Sequence, residues 1–357
     1  MPDLNRKIKY SEAVGEAISQ CMEKDPAVFI IGEGVTDPKG TFGTTLGLRK
    51  KFGKERVMDM PVAENAVTGI IIGAAIAGMR PIMTHQRMDF MLYSMDPIVN
   101  TAAKWKFIFG DRPVPIVIRA MIGRGWGQGA QHSQNLQALF AHVPGLKVVM
   151  PATAYDAKGL LVSSIEDDGP VIFLEHRWLH SMVDYVPKKL YRVPLGKCRK
   201  VRTGTDLTIV SHSYMTVEAV KAAAILEKEG ISAEIVDLRT IKPIDWPAIN
   251  RSVNKTGKLL VLDSAWKTAG IAAEIIASVV ENKGTKIKKF PQRITFPDMP
   301  APTTRALTKF FYPGVREIVG KAAELAGAGG EKKKRLLSRI KTEIFCDVPD
   351  NSFTGPF

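Results

Sequence analysis

From Tyr10 to Cys21 apolar residues recur at helical spacing (Ala13, Val14, Ala17, Ile18, Cys21). The run AVFIIGEGV after it is short, apolar and closed by glycine, so a helix followed by a buried strand is predicted. The alternation continues with VMDM as a strand, ENAVTGIIIGAAIAGM as a helix rich in small residues, RPIMTH as a strand and DPIVNTAAKWKFIF as a helix. PVPIVIRA, LKVVMPA and GPVIFLEHR predict three further strands, with YDAKGLLVSSIED a helix between the last two. Strands that alternate with helices in this way imply right-handed crossovers and a parallel sheet covered on both faces.

The stretch SMVDYVPKKLYRVPLGKCRKVRTG breaks the pattern: it is basic, contains proline and is weakly periodic, and it predicts a linker. The alternation then restarts with DLTIVSHS, TVEAVKAAAILEKEG, SAEIVDLRT, DWPAINRSVNKTG, KLLVLDSAW, GIAAEIIASVVENKG and KIKKFPQRITFPD, and VREIVGKAAELAG adds a last helix. The expected fold class is α/β with two doubly wound domains, residues 1–185 and 206–328, joined by a linker at 186–205. Residues 329–357 are expected to be a basic extension belonging to neither core.

The chain has 357 residues, 45% of them hydrophobic, which excludes a disordered protein and suits two domains. The longest apolar stretches, such as that around Ile70 to Met79, fall short of the roughly 20 residues that span a bilayer. The N-terminal residues lack a secretory pattern, and Cys21, Cys198 and Cys346 are widely separated, so reduced thiols in a cytoplasmic protein are expected. The formal charge of +14 raises the question of a nucleic-acid partner. Its distribution weakens that idea, because EKKKRLLSRIK (331–341) alone holds six basic residues and one acidic one.

Neither GxGxxG nor GxxxxGK[ST] occurs in a strand-to-helix context. GRGWGQG (123–129) is glycine-rich and reads either as a loop that turns the backbone or as a wall of a ligand site. Glu64, in MPVAEN, lies between a strand and a helix, where parallel α/β sheets bind ligands; the competing reading is a first-turn acid that balances the helix dipole. His132, in AQHSQ, could transfer protons or could simply hydrogen-bond its loop. In HQRMDF, His85, Gln86, Arg87 and Phe90 follow the strand RPIM and suggest a heterocycle or anion site, or a solvated loop. His142, His176, His180 and His212 lack metal-ligand spacing, and no GxSxG nucleophile motif is present.

Together these segments resemble the beta subunit of the thiamine diphosphate-dependent 2-oxo acid dehydrogenases, the decarboxylating component of the pyruvate and branched-chain complexes. The resemblance runs from about Ile8 to Ala328 and is carried by PVAEN, GIIIGAAIAGMRPI, MDPIVNTAAKW, VPIVIRA, GQGAQHSQNLQALFAHVPGLKVVMPATAYDAKGLL, EDDGPVIFLEH and GISAEIVDLRTIKPID in that order. It implies a pyrimidine-binding, transketolase-like domain followed by a transketolase C-terminal-type domain, assembled with an alpha subunit as an α2β2 heterotetramer. The alpha subunit would carry the diphosphate and its magnesium, consistent with the missing phosphate loop. Glu64 matches the catalytic glutamate that hydrogen-bonds the aminopyrimidine ring nitrogen, and protonation there favours the imino tautomer needed for cofactor activation. Phe90 matches the aromatic stacked on the pyrimidine, Gln86 a neighbouring cofactor contact, and Val62 a backbone-side contact. His132 matches the histidine that serves decarboxylation or acyl transfer. Carbonyls of Ile116, Ser164, Asp167 and Gly169 match positions where some members hold potassium.

Two departures bear on substrate. His85, Gln86 and Arg87 replace mostly apolar or small residues, so His85 and Arg87 are candidate substrate contacts, and Arg87 could pair with a carboxylate or phosphate. VLDSAWKTAGIAAEI replaces the usual HEAPRTGGFGAEI pattern. The main expectation is therefore an enzyme subunit that decarboxylates a 2-oxo acid and transfers the acyl group to a lipoyl acyltransferase. The alternative is half of a split transketolase-like or acyl-transferring enzyme in sugar or specialised-metabolite biosynthesis. A nucleic-acid-binding protein lacks any supporting signature.

Overall fold

The computed structural model describes residues 6–110, 112–123 and 128–340. The chain divides between Leu195 and Gly196 into two compact units. The first contains β1 (Lys7–Lys9), α1 (Tyr10–Lys24), β2 (Val28–Gly32), α2 (Leu48–Phe52), β3 (Val57–Met58), α3 (Glu64–Ile76), β4 (Arg80–His85) and α4 (Met88–Met91). A π-helical stretch, Pro97–Ala102, then runs into α5 (Ala103–Phe109), followed by β5 (Val117–Ile122), α6 (Gln137–His142), β6 (Lys147–Val149), α7 (Ala154–Ile165), β7 (Val171–His176) and β8 (Val183–Tyr185). Six of these strands pair in parallel, in the spatial order β3-β2-β4-β5-β7-β6, while β1 and β8 form a separate antiparallel pair.

The apolar stripe of α1 (Ala13, Val14, Ala17, Ile18, Cys21) is buried, and the helix packs on α7. β5 begins only at Val117 although the apolar run starts earlier, because Pro113 and Pro115 have no N–H to give to a ladder. The crossovers place helices on both faces, so β5 and β7 are buried throughout and read as continuous apolar runs.

The second unit contains β9 (Arg199–Arg202), β10 (Leu207–Ser211), α8 (Tyr214–Glu227), β11 (Ala233–Asp237), β12 (Thr240–Lys242), α9 (Trp246–Thr256), β13 (Leu259–Trp266), α10 (Ile271–Glu281), β14 (Gln292–Phe296), α11 (Arg305–Thr308), α12 (Val315–Ala326) and α13 (Gly330–Ser338). Its sheet runs β9-β11-β10-β13-β14, with β9 antiparallel and the rest parallel. Part of the expected linker is thus a strand: RKVR joins the sheet edge through backbone pairing, which its charged side chains concealed. Among the described residues no helix is long and apolar enough to cross a membrane.

The expectation that everything after Ala328 lies outside both cores is corrected. α13 packs against α12, and its Leu336 is fully buried in a cluster with Leu226, Ile318, Ala322 and Leu325. Arg335 and Arg339 both reach Glu229, at 3.1 and 2.9 Å, and Lys333 pairs with Glu324. The lysine-rich composition hid a helix with one apolar edge and its counter-charges on neighbouring helices. Leu336→Ala should lower unfolding free energy by about 2–5 kcal/mol, measured by denaturant titration, whereas Lys334→Ala on the exposed face should change it by less than about 0.5 kcal/mol.

Candidate active site

In the first unit β2 is followed on one side by β3 and on the other by β4, so the chain reverses its direction of travel at the β2/β4 boundary. The crevice beyond the carboxyl ends of strands at such a point is where open α/β sheets bind ligands. Glu33 and Gly34 follow β2 there, and Gln86 follows β4; the Gln86 Nε2 donates to the Glu33 carbonyl at 3.4 Å across the boundary. Gly34 has φ +68, a left-handed conformation that favours glycine, and a Cβ on it would stand 2.5 Å from Gln86 Nε2, so a side chain there would displace the Gln86 amide.

Glu64 opens α3 just beyond β3 and is 5% exposed. Its carboxyl lies against that of Glu33, and burial together with the negative charges of Glu64 and Asp59 holds the Glu33 carboxyl above the ordinary range. Glu33 therefore keeps its proton to higher pH and can donate it to Glu64. Asp59 is occupied locally, accepting from the backbone of Gly34 at 3.1 Å, the backbone of Met60 at 2.9 Å and the Thr36 hydroxyl at 2.9 Å. Thr68 ties the first turns of α3 down, donating to the Glu64 carbonyl at 2.7 Å and lying 2.8 Å from the Ser94 hydroxyl. The dipole reading of Glu64 and the functional one are compatible, since a helix N-terminus steadies the carboxylate it presents.

Phe90, in α4, meets His132 edge-on, with ring centroids 5.4 Å apart and planes at 81°. Phe90 is half-buried and His132 is exposed, so an aromatic platform and a reachable imidazole stand together. In the same two segments, Gln134 donates its side-chain amide to Asp89 Oδ1 at 2.8 Å. Burial lifts the Asp89 carboxyl above the usual aspartate range. Val62 is 83% exposed.

His85 and Arg87 are both buried. Desolvation pulls the His85 imidazole down to about 4, so it is neutral near pH 7, and its Nε2 is buried without a partner among the described residues. Arg87 donates to the Gly123 carbonyl at 2.6 Å, while the Gly123 N–H donates to Asn135 Oδ1 at 2.6 Å. Gly123 has φ +75, and a Cβ there would lie 2.6 Å from the His176 ring, which makes glycine necessary at the end of β5. The rest of GRGWGQG up to Gly127 lies outside the described residues. Arg87 and Arg177 both lie over the Phe42 ring, at 5.7 and 4.7 Å, and Phe42 itself has φ +51.

Two elements of this region were not singled out from the sequence. Glu33 stood in IIGEGV as an acid at a strand's carboxyl end, the same signal that drew attention to Glu64. The second is a fully buried ion pair: Arg119 on β5 binds Glu175 on β7 through Nε at 2.7 Å and Nη2 at 2.6 Å, and its Nη1 reaches Thr84 on β4 at 3.3 Å. Burial works against the Glu175 charge, but Arg119 and His180 outweigh it and hold the carboxyl below its ordinary value. His180 lies on this network, 3.3 Å from the Glu175 carboxylate, while His176 Nδ1 accepts from the Trp178 N–H at 3.3 Å; among the described residues no group of three or more His, Cys, Asp and Glu side chains could hold a metal.

Three of the four carbonyls matched to potassium accept hydrogen bonds. Ile116 accepts from the Val171 N–H at 2.9 Å, Ser164 from the Asp167 N–H at 3.4 Å, and Asp167 from Arg80 Nη1 at 3.1 Å. Lys147 also binds the Asp167 carboxylate, and Gly169 donates its N–H to that side chain at 2.8 Å. Two protein cations, Arg80 and Lys147, therefore contact Asp167.

Residues 6–181 match the transketolase pyrimidine-binding domain and residues 196–318 the transketolase C-terminal domain. The chain is 42% identical to the beta subunit of acetoin:2,6-dichlorophenolindophenol oxidoreductase from Cupriavidus necator, an alignment covering 91% of this chain and 99% of that one. It is 40% identical to the 2-oxoisovalerate dehydrogenase beta subunit of Bacillus subtilis (89% and 98% covered) and 37% identical to the human mitochondrial pyruvate dehydrogenase E1 beta subunit (88% and 89%). Among solved structures, a split-gene transketolase in an inactive beta4 tetramer superposes with a TM-score of 0.74 at 23% identity, over 90% of this chain and 99% of that one, a likeness of fold. The fold and site thus define a transketolase-like α/β protein. Within that class the chain belongs to the family of E1-component beta subunits of the 2-oxo acid dehydrogenases.

Because the Glu33 pKa is raised in the fold, its contribution to stability is complete below the unfolded value and is lost as pH rises through the folded value. Glu33→Gln should therefore give a higher Tm than the parent at pH 8 and an equal one at pH 4, followed by thermal melts across that range.

Proposed function

We propose that this chain is the beta subunit of a thiamine diphosphate-dependent 2-oxo acid dehydrogenase, decarboxylating a 2-oxo acid and transferring the acyl group to a lipoyl acyltransferase. The observation that carries the reading is the placement of buried Glu64 against Glu33, whose carboxyl burial and neighbouring negative charges push up, beside the β2/β4 boundary. The donor set fits an aminopyrimidine: a carboxylate able to share a proton with a ring nitrogen, and a half-buried aromatic face. When bound, thiamine diphosphate would supply the carbon nucleophile and electron sink for decarboxylation. Glu64 would hold the proton at the pyrimidine nitrogen, and Glu33 would limit how much negative charge Glu64 carries. Phe90 would stack on the ring and Gln86, fixed by the Glu33 carbonyl, would border it. His132, exposed beside Phe90, would serve proton transfer during decarboxylation or acyl transfer. Arg87 and His85 line the same strand ends and would shape the substrate end of the site, Arg87 through its hold on Gly123.

The diphosphate and magnesium are assigned to an alpha subunit in an α2β2 heterotetramer. Surface composition supports a partner on the first unit: α3 leaves Ile70 65% exposed beside Gly69 and Gly73, and Tyr93, Phe107, Ile108 and Phe109 are exposed as well. Potassium would be held by the carbonyls of Ile116, Ser164, Asp167 and Gly169, three of which also accept hydrogen bonds within the chain. A reducing, cytoplasmic setting is supported by Cys21 and Cys198, free thiols that burial pushes up to about 12. The relatives near 40% identity favour this reading over half of a split transketolase-like enzyme, whose support is one of fold.

The test is turnover by the chain purified with its alpha partner, using 2,6-dichlorophenolindophenol as electron acceptor and pyruvate, branched 2-oxo acids, acetoin and sugar phosphates as substrates. Dye reduction with a 2-oxo acid is expected, and Glu64→Gln should lower it by about 10²–10⁴-fold with assembly and Tm unchanged. Ketol transfer between sugar phosphates without dye reduction overturns the proposal. His132→Ala should depress acylation of a lipoyl acceptor while leaving cofactor affinity, read by fluorescence titration, within about twofold; a matching loss of affinity would make His132 structural.

A further inference from the structure

The basic extension is not the free positive surface of this protein, because α13 spends Lys333, Arg335 and Arg339 on Glu324 and Glu229. A second basic stretch has no such neutralisation. Residues 282–297, NKGTKIKKFPQRITFP, contain Lys283, Lys286, Lys288, Lys289 and Arg293 and no acid. None of these five forms an ion pair among the described residues. The four lysines are exposed, and Phe290 in their midst is 89% exposed.

This stretch leads into β14, which ends the sheet order of the second unit, so no strand pairs with its outer edge among the described residues. Between β14 and α10 lies a cleft of about 550 Å³ lined by Ile276, Ala277 and Val280 of the helix and by Pro291, Gln292 and Arg293 of the strand. Lys267 stands at its rim and Val280 is 56% exposed. Glu274 and Glu281 are the acids of α10, and Glu274 accepts from Ser278 on its own helix. An open strand edge, an apolar cleft beside it and an unpaired cationic border occur together here. An unprotected edge of this kind is ordinarily blunted or covered.

We propose that the α10–β14 cleft docks an extended acidic segment of a partner protein, which adds to β14 as a strand and seats apolar side chains over Ile276 and Val280. Strand addition explains the open edge, since main-chain hydrogen bonds supply affinity and alternate side chains supply specificity. Charge explains the choice of partner: an acidic segment meets six cations, Lys267, Lys283, Lys286, Lys288, Lys289 and Arg293, and a basic one is repelled. A peptide of alternating glutamate and valine has the required period, with one face apolar and the other charged.

The experiment measures binding of a fluorescently labelled peptide of alternating glutamate and valine, about seven residues long as a strand of ordinary length requires, to the full chain assembled with its alpha partner. Expected are saturable binding, an affinity that falls about tenfold between 50 and 300 mM salt as exposed charges are screened, and a similar loss in Lys286→Glu/Lys289→Glu. Val280→Glu should weaken it as well, while dye-linked turnover and Tm stay at parental values in both variants. Equal binding of the lysine–valine peptide overturns the proposal. So does undiminished binding by the charge-reversed variant, stronger binding of duplex DNA than of peptide at the same lysines, or self-association of the assembly that the same substitutions abolish.

Discussion

Arg119 sits in the middle of a parallel sheet with no solvent to receive its charge, and it is tolerable there only because Glu175 on the next strand binds it through two nitrogens. Removing either partner would leave an uncompensated buried charge, at a cost of about 3–5 kcal/mol. The pair does more than neutralise itself. Through Thr84 it reaches β4, and through His180 it reaches the ring of Phe42, on which Arg87 and Arg177 also rest. The carboxyl ends of β4, β5 and β7 are thus tied by polar contacts on one side of the sheet, and the residues that follow them inherit fixed positions.

That fixation matters because the site is assembled from strand ends far apart in sequence. Gln86 is held by the Glu33 carbonyl, Arg87 by the Gly123 carbonyl and Gly123 in turn by Asn135. Each contact joins two loops, so a platform of Phe90 and His132 and a paired carboxyl site at Glu33 and Glu64 stand on a common rigid base. Catalytic groups placed this way do not have to be ordered when substrate arrives.

The architecture was legible because its signal is local and repeated. Short apolar runs bounded by glycine and followed by helical stripes led to β2, β4, β7, β10 and β13 with boundaries close to those found, and only proline shortened β5 and β14. Glu64, Gln86, Phe90 and His132 were reachable by the same logic combined with family resemblance, since each stands in a motif. Glu33 was missed although it occupies an equivalent strand end, because one acid in GEG carries no distinguishing pattern. RKVR and the lysine-rich α13 were misjudged for a shared reason. Charge dominated their composition, while a backbone ladder in one case and a single buried leucine in the other decided their fate.

What the order of residues determined by itself was the alternation of strand and helix, the two α/β units and the chemical types available at strand ends. Those follow from periodicity and propensity, which act over neighbouring positions. Only the tertiary structure decided the pairings: that Glu33 faces Glu64, that Arg87 grips Gly123 rather than standing in solvent, and that the tail's cations meet Glu229 and Glu324 while those near β14 meet no carboxylate among the described residues. Charge, proton affinity and exposure depend on which distant groups the crossovers bring within a few ångströms, and strand order is a property of the folded chain.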